Sequence, residues 1–131
     1  MAGIYIHIPF CARKCVYCNF NTTDYHEDLV PAYIEATARE IACRGERENR
    51  VTVDTIYFGG GTPSIVEAAD IDLLVRTCRD SFDVAPDAEI TIEINPSTLS
   101  RRKLYGWLKA GINRASVGVQ SFIESDLVSL S

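Results

Sequence analysis

Cys11, Cys15 and Cys18 fall within eight residues of one another in the stretch IYIHIPFCARKCVYCNF, residues 4–20. Their C-x3-C-x2-C spacing has a bland reading, because i, i+4, i+7 is also one face of a helix and free cysteine is among the most buried residue types. Pro9 and the strand-like run before it place the segment in a loop instead, and Ala12, Arg13, Lys14, Val16 and Tyr17 make a poor helix surface, so the thiols read as metal ligands. Three thiolates could hold zinc with His7 or His26 as a fourth ligand, although structural zinc sites usually pair two separated knuckles and no second pair occurs here. Iron–sulfur clusters are commonly held by thiolates wrapped around them in one loop, and three thiolates would leave one iron of a four-iron cluster open to another ligand. Arg13 and Lys14 would offset part of the thiolate charge, or are simply solvated loop residues.

Three further stretches carry polar chemistry. YFGGGTPS, residues 57–64, has a glycine run that permits positive φ and close approach of backbone to a ligand. It lacks the Gly-Lys-Ser/Thr of a phosphate loop and is not a G-x-G-x-x-G turn, so it reads as a ligand cradle or a plain tight turn. TIEINP, residues 91–96, puts Glu93 near the end of a strand-like run, and GINRASVGVQSF, residues 111–122, does the same for Gln120. Each alone could be an ordinary strand-end polar group.

The elements that must position these groups repeat four times as a β-rich run followed by a helical segment. Strands are predicted over Ile4–Ile8, Val53–Phe58, Glu89–Ile94 and Arg114–Val119. Helices are predicted over Pro31–Arg44, with Gly45 as its stop, and over Ala69–Asp80, where Ile71, Leu74, Val75 and Cys78 form an apolar stripe. A third runs from an N-cap at Ser100 to Gly111 with Leu104, Trp107 and Leu108 inward, and a fourth begins at Glu124–Leu130. This alternation predicts an α/β fold of βαβ units around a parallel sheet.

Ile4, Ile6 and Ile8 alternate with Tyr5 and His7; Ile90, Ile92 and Ile94 with Glu89, Thr91 and Glu93; Ala115, Val117 and Val119 with Ser116, Gly118 and Gln120. A parallel sheet covered on both sides reads as continuous apolar runs, so one face of this one looks onto a wet or ligand-filled space. That suits part of a βα barrel with its ligand inside and its chemistry on the loops at the strands' C-terminal ends. Tyr5, the cysteine loop, the glycine run, Glu93 and Gln120 all converge on that rim. Four units cannot close a barrel, so the chain is expected to be the N-terminal part of a longer protein.

Composition narrows the partners. The 131 residues carry a net charge of −5 at a pI near 5.0, which disfavours nucleic acid or an anionic membrane surface. With neither a signal peptide nor a transmembrane run, the reading is a cytoplasmic protein. Five cysteines, an odd number unevenly placed, fit a metal or cluster site better than a disulfide framework. Cys43 and Cys78 fall in helices and read as packing residues.

YIHIPFCARKCVYC, YFGGGTPS, IEINP and GINRASVGVQSF, in that order and spacing, closely resemble the radical S-adenosylmethionine (SAM) enzymes of the oxygen-independent coproporphyrinogen III oxidase family. The resemblance runs from about residue 4 to the end and implies the first four βα units of a partial (β/α)6 TIM-like barrel, with residues 1–131 as the N-terminal portion of a radical SAM core domain and the remaining barrel and a C-terminal domain absent. It implies a [4Fe–4S] cluster on Cys11, Cys15 and Cys18 with SAM on the open iron. Tyr5 would sit by the adenine, Gly60, Gly61 and Thr62 would line the methionine moiety, and Glu93 and Gln120 would contact SAM. No residue is assigned a catalytic role.

The family has two branches. The oxidases resemble C-x3-C-x2-C-x-C with a sizeable extension before the first strand; here Phe20 stands at the last cysteine's place and the first strand starts at residue 4. Both features resemble the radical-SAM-like heme chaperones, which bind heme and deliver it to hemoproteins such as respiratory enzymes. The expected function is therefore heme chaperone, the alternatives an oxidase in porphyrin biosynthesis or a small zinc-binding module. Phe20 is also expected to be a core aromatic beside the cluster, and His7 to be either a cofactor contact or a hydrogen-bonded structural histidine.

Overall fold

The predicted alternation becomes a single four-stranded parallel sheet in the computed structural model of the chain, which describes residues 2–130. Its strands are β1 (Ala2–Ile8), β4 (Thr52–Gly60), β5 (Asp83–Ile94) and β6 (Arg114–Val117), ordered β1-β4-β5-β6. A second, two-stranded parallel sheet pairs β2 (Phe10–Cys11) with β3 (Thr23–Asp24). The helices are α1 (Val30–Arg47), α2 (Ala68–Ser81), α3 (Arg101–Ala110) and α4 (Glu124–Leu130).

Register brings like side chains onto like faces. Ile4 pairs with Ile56, Ile6 with Phe58, Ile56 with Ile90 and Phe58 with Ile92, so the isoleucines form one continuous apolar surface. Onto it pack Ile34 and Ile41 of α1, Ile71, Leu74, Val75 and Cys78 of α2, and Trp107 of α3, all buried. On the opposite face Tyr5 pairs with Tyr57, Tyr57 with Thr91, His7 with Gly59 and Glu93 with Ser116. The polar, small face expected from the alternation is present on every strand.

Helix ends follow local chemistry with some departures. At α2, Glu67 and Asp70 form a capping box, and the predicted stripe is the buried one. At α3 the Ser100 hydroxyl accepts from the Lys103 N–H, and Gly111 closes the helix at a φ of 98°. Gly45 does not stop α1. The helix runs through it to Arg47, and Gly45 is buried where an added Cβ would lie 2.5 Å from the Ser81 carbonyl oxygen, so it serves the close approach of α1 to the end of α2. The chain instead reverses at Asn49 and Arg50, both at positive φ.

The α3 stripe is also rotated from expectation. Trp107 and Ala110 are buried, whereas Leu104 and Leu108 are exposed, the latter by 64%. The cause is Gly106, whose added Cβ would meet the Ala68 Cβ at 2.4 Å; this small-residue contact with α2 turns Lys103, Trp107 and Ala110 inward. β6 ends at Val117, two residues earlier than predicted, and Ala115, Val117 and Val119 are exposed rather than helix-covered.

Candidate functional site at the strand ends

Because all four strands of the main sheet are parallel, their C-terminal ends share one rim. The cysteine loop leaves the end of β1, the glycine run the end of β4, the Asn95–Thr98 turn the end of β5, and the Gly118–Ser121 segment the end of β6.

The cysteine loop is pinned at both feet. The Thr23 N–H donates to the Pro9 carbonyl at 2.9 Å and the Tyr25 N–H to that of Cys11 at 2.9 Å, which closes residues 12–22 into an excursion. Within it the Cys18 N–H donates to the Cys15 carbonyl at 3.1 Å. Phe10 anchors the first foot in the core, edge-on to Tyr33 at 5.3 Å between ring centroids. His7 ties the far side of the loop to the sheet. Its Nε2 lies 2.8 Å from the Asn21 carbonyl oxygen, which can only accept, so Nε2 carries the proton and Nδ1 accepts from the Tyr5 hydroxyl at 3.1 Å. His7 thus has the two hydrogen bonds of a structural histidine.

The glycine run lies directly against the first cysteine. Gly61 N–H donates to Ile8 O at 2.8 Å and Thr62 N–H to Phe10 O at 2.9 Å, so the run continues alongside the chain that enters the loop. A Cβ on Gly61 would stand 2.6 Å from Pro9 O and 2.8 Å from Cys11 Sγ, and Gly60 sits at a φ of 122°. Both need glycine, one for close approach and one for backbone conformation. The Thr62 hydroxyl donates to Cys11 Sγ at 3.6 Å.

Glu93 closes the group. Its Oε1 accepts from the Tyr57 hydroxyl at 2.8 Å and its Oε2 from the Gly60 N–H at 3.3 Å. The bond to Glu93 is the first cause that pushes the Tyr57 hydroxyl above its ordinary pKa. Tyr5 stacks on Tyr57 at 6.1 Å with 19° between planes, 59% exposed toward the open face, its own pKa raised by burial and then by the Glu93 charge.

Cys11, Gly60, Gly61, Thr62 and Glu93 are thus joined by direct contacts, and Tyr5 joins through Tyr57. Cys15 and Cys18 lie half-buried on the loop as free thiols. Gln120 lies past the end of β6 at a φ of 65°, exposed, and shares none of these contacts. Phe20 is 70% exposed, so it is not the core aromatic that was expected. Cys78 is an inert packing residue whose thiol burial pushes up to about 12, while Cys43 is exposed on α1. Tyr57 was missed, although its place on the polar face two residues before Gly59 marks it by alternation alone.

The donor set suits a cluster held by one loop. Among the described residues no three His, Cys, Asp or Glu side chains are gathered tightly enough for a single metal ion. A cluster spreads its thiolates over separate irons, and the glycine cradle that a Cβ would fill lies against Cys11 Sγ. Beside it, backbone groups and Glu93 supply acceptors for an ammonium group. None of the described helices is long and apolar enough to cross a membrane.

Known proteins extend this picture. A family model described as the radical SAM superfamily matches residues 5–125. The chain is 41% identical over 124 residues to the heme chaperone HemW of Synechocystis, covering 90% of this chain and 30% of that protein. It is 42% identical over 123 residues to the oxygen-independent coproporphyrinogen III oxidase of Bradyrhizobium diazoefficiens, covering 92% and 27%. Among solved structures, coproporphyrinogen III oxidase (HemN) from Escherichia coli, a radical SAM enzyme, superposes with a TM-score of 0.88 at 31% identity over 98% of this chain and 30% of that one. The chain therefore spans under a third of the length of these relatives, and its sheet corresponds to part of that TIM-like barrel. By its motifs, its fold and the match over residues 5–125, the chain belongs to the radical SAM superfamily, a membership that implies SAM and a [4Fe–4S] cluster as cofactors.

Proposed function

We propose that residues 1–131 are the N-terminal portion of the radical SAM core of a heme chaperone, and that the whole protein binds a cluster, SAM and heme and hands heme to hemoproteins. Cys11, Cys15 and Cys18 hold the cluster. Gly60, Gly61 and Thr62 line the methionine end of SAM, with Glu93 accepting from its ammonium group, Tyr5 beside the adenine and Gln120 as the ribose contact. When bound, the reduced cluster and SAM supply one-electron chemistry. The chain's own part is orientation. Tyr57 and the Gly60 N–H hold the two Glu93 oxygens in place, His7 fastens the loop to the sheet, and Thr62 donates to the first thiol.

The observation that carries the chaperone branch is Phe20. A further cysteine would stand there in the oxidase pattern, and this chain has a phenylalanine in its place. Overall likeness does not separate the branches, since the identities to a HemW and to an oxidase are 41% and 42%. The oxidase is kept as the second reading because the solved HemN matches with a TM-score of 0.88.

The test incubates the reconstituted full-length protein anaerobically with coproporphyrinogen III, SAM and reductant, and separately with heme. Stable heme binding without porphyrinogen turnover is the expected result; formation of protoporphyrinogen would overturn it in favour of the oxidase.

A further inference from the structure

Ser64 lies beyond the glycine run, where nothing assigned so far touches it, yet it has no exposed surface. Its hydroxyl belongs to a closed circuit. The Asn95 N–H donates to Ser64 Oγ at 3.0 Å, and Ser64 Oγ lies 2.6 Å from Thr98 Oγ1. Thr98 Oγ1 donates to the Asn95 carbonyl at 2.9 Å. Since that bond uses the Thr98 proton, Ser64 must donate to Thr98 while it accepts from Asn95, and every polar atom in the circuit is satisfied in one direction.

The placement of this circuit gives it a consequence for the site. The β4–β5 register ends at Phe58 opposite Ile92, and the backbone N–H groups of Gly61 and Thr62 turn to the other side, toward Ile8 and Phe10. The glycine run is then tied to the β5 side by side chains, the Glu93 carboxylate on the Gly60 N–H and Ser64 on Asn95, two residues past Glu93. Asn95 is itself held, because its Oδ1 accepts from both the Ser97 N–H at 3.0 Å and the Ser97 hydroxyl at 2.8 Å. On the far side Lys103 Nζ donates to the carbonyls of Ser64 and Ile65 at 2.8 and 2.9 Å, which fastens the same turn to α3.

We infer that Ser64, through its hydrogen-bond circuit with Asn95 and Thr98, is a positioning residue that sets the Gly60–Thr62 cradle against Glu93 for SAM. This rests on the reading of those residues as SAM contacts. Ser64 itself touches no cofactor. It fixes the spacing between two strand ends that each supply one side of the SAM methionine site, and groups that orient a first ring of ligands typically affect affinity on the order of 10- to 100-fold.

The test compares wild type with Ser64→Ala, Thr98→Val and Thr98→Ser after cluster reconstitution. It reads iron content and the SAM dissociation constant from the change that SAM makes in the reduced cluster's electron paramagnetic resonance signal. Thr98→Val breaks the circuit at nearly constant volume from a residue that meets neither the cradle nor Glu93, and Thr98→Ser restores the hydroxyl. The expected result is wild-type iron content throughout, SAM affinity weakened at least about tenfold in Ser64→Ala and Thr98→Val, and recovery in Thr98→Ser. Wild-type affinity in both disrupted variants would overturn the inference alone. A wild-type signal indifferent to SAM would instead overturn the SAM-site reading and this inference with it.

Discussion

Two neighbours on β4 face opposite sides of the sheet. Phe58 has no exposed surface and meets Ile6 and Ile92 across the sheet, while Tyr57 points the other way, stacks on Tyr5 and donates to Glu93. On the helix side the requirement is chiefly volume: the isoleucine, valine and phenylalanine side chains fill space and need no particular polar partner. On the other side Tyr5, His7, Tyr57 and Glu93 each have a named partner at a stated distance. The helix side therefore stabilises the sheet, and the open side uses that rigidity to hold polar side chains in fixed positions.

The contrast can be broken most strongly at Phe58. Phe58→Ala is expected to cost about 3–5 kcal/mol of folding stability, measured by denaturant unfolding, through the cavity it leaves under the sheet. Next comes Gly61→Ala, where the new methyl meets the backbone oxygens of Pro9 and Phe10 as well as Cys11 Sγ. A loss of about 1–3 kcal/mol is expected, together with lowered iron content, because the strain falls on the foot of the cysteine loop. Tyr57→Phe sharpens the comparison from the other face. It should cost about 0.5–1.5 kcal/mol in thermal or chemical unfolding and weaken SAM binding severalfold, since Glu93 loses one of its two donors. The Tyr57 pKa is raised in the fold, so the wild-type protein should lose this contribution as pH climbs above about 10, and the variant should lose less over the same range. Phe20→Ala should change stability by no more than about 0.5 kcal/mol, because the ring is exposed.

Much of this contrast could be read from alternation. Ile4, Ile6 and Ile8 against Tyr5 and His7, and Ile90, Ile92 and Ile94 against Thr91 and Glu93, place each strand's two faces before any contact is known. What escaped depends on contacts between distant segments. Gly45 looks like a helix stop until Ser81 is seen to need its missing side chain, and Leu104 looks buried until Gly106 meets Ala68. The short pairing of Phe10–Cys11 with Thr23–Asp24 joins two runs too brief to carry a period. Ser64 has the type of an ordinary turn residue, and only the fold brings it to Asn95 and Thr98. The cysteine motif, by contrast, is legible without the fold, because residue type and local spacing are both properties of the sequence.

The central claim is that the cysteine loop and the glycine run build one site, in which three thiolates leave an iron for SAM. Mössbauer spectroscopy of the anaerobically reconstituted, iron-57-labelled protein with and without SAM tests it most directly. A [4Fe–4S] spectrum in which SAM shifts one iron away from the other three is the predicted result. Stoichiometric zinc with no cluster, or a cluster whose irons are all unchanged by saturating SAM, would contradict it.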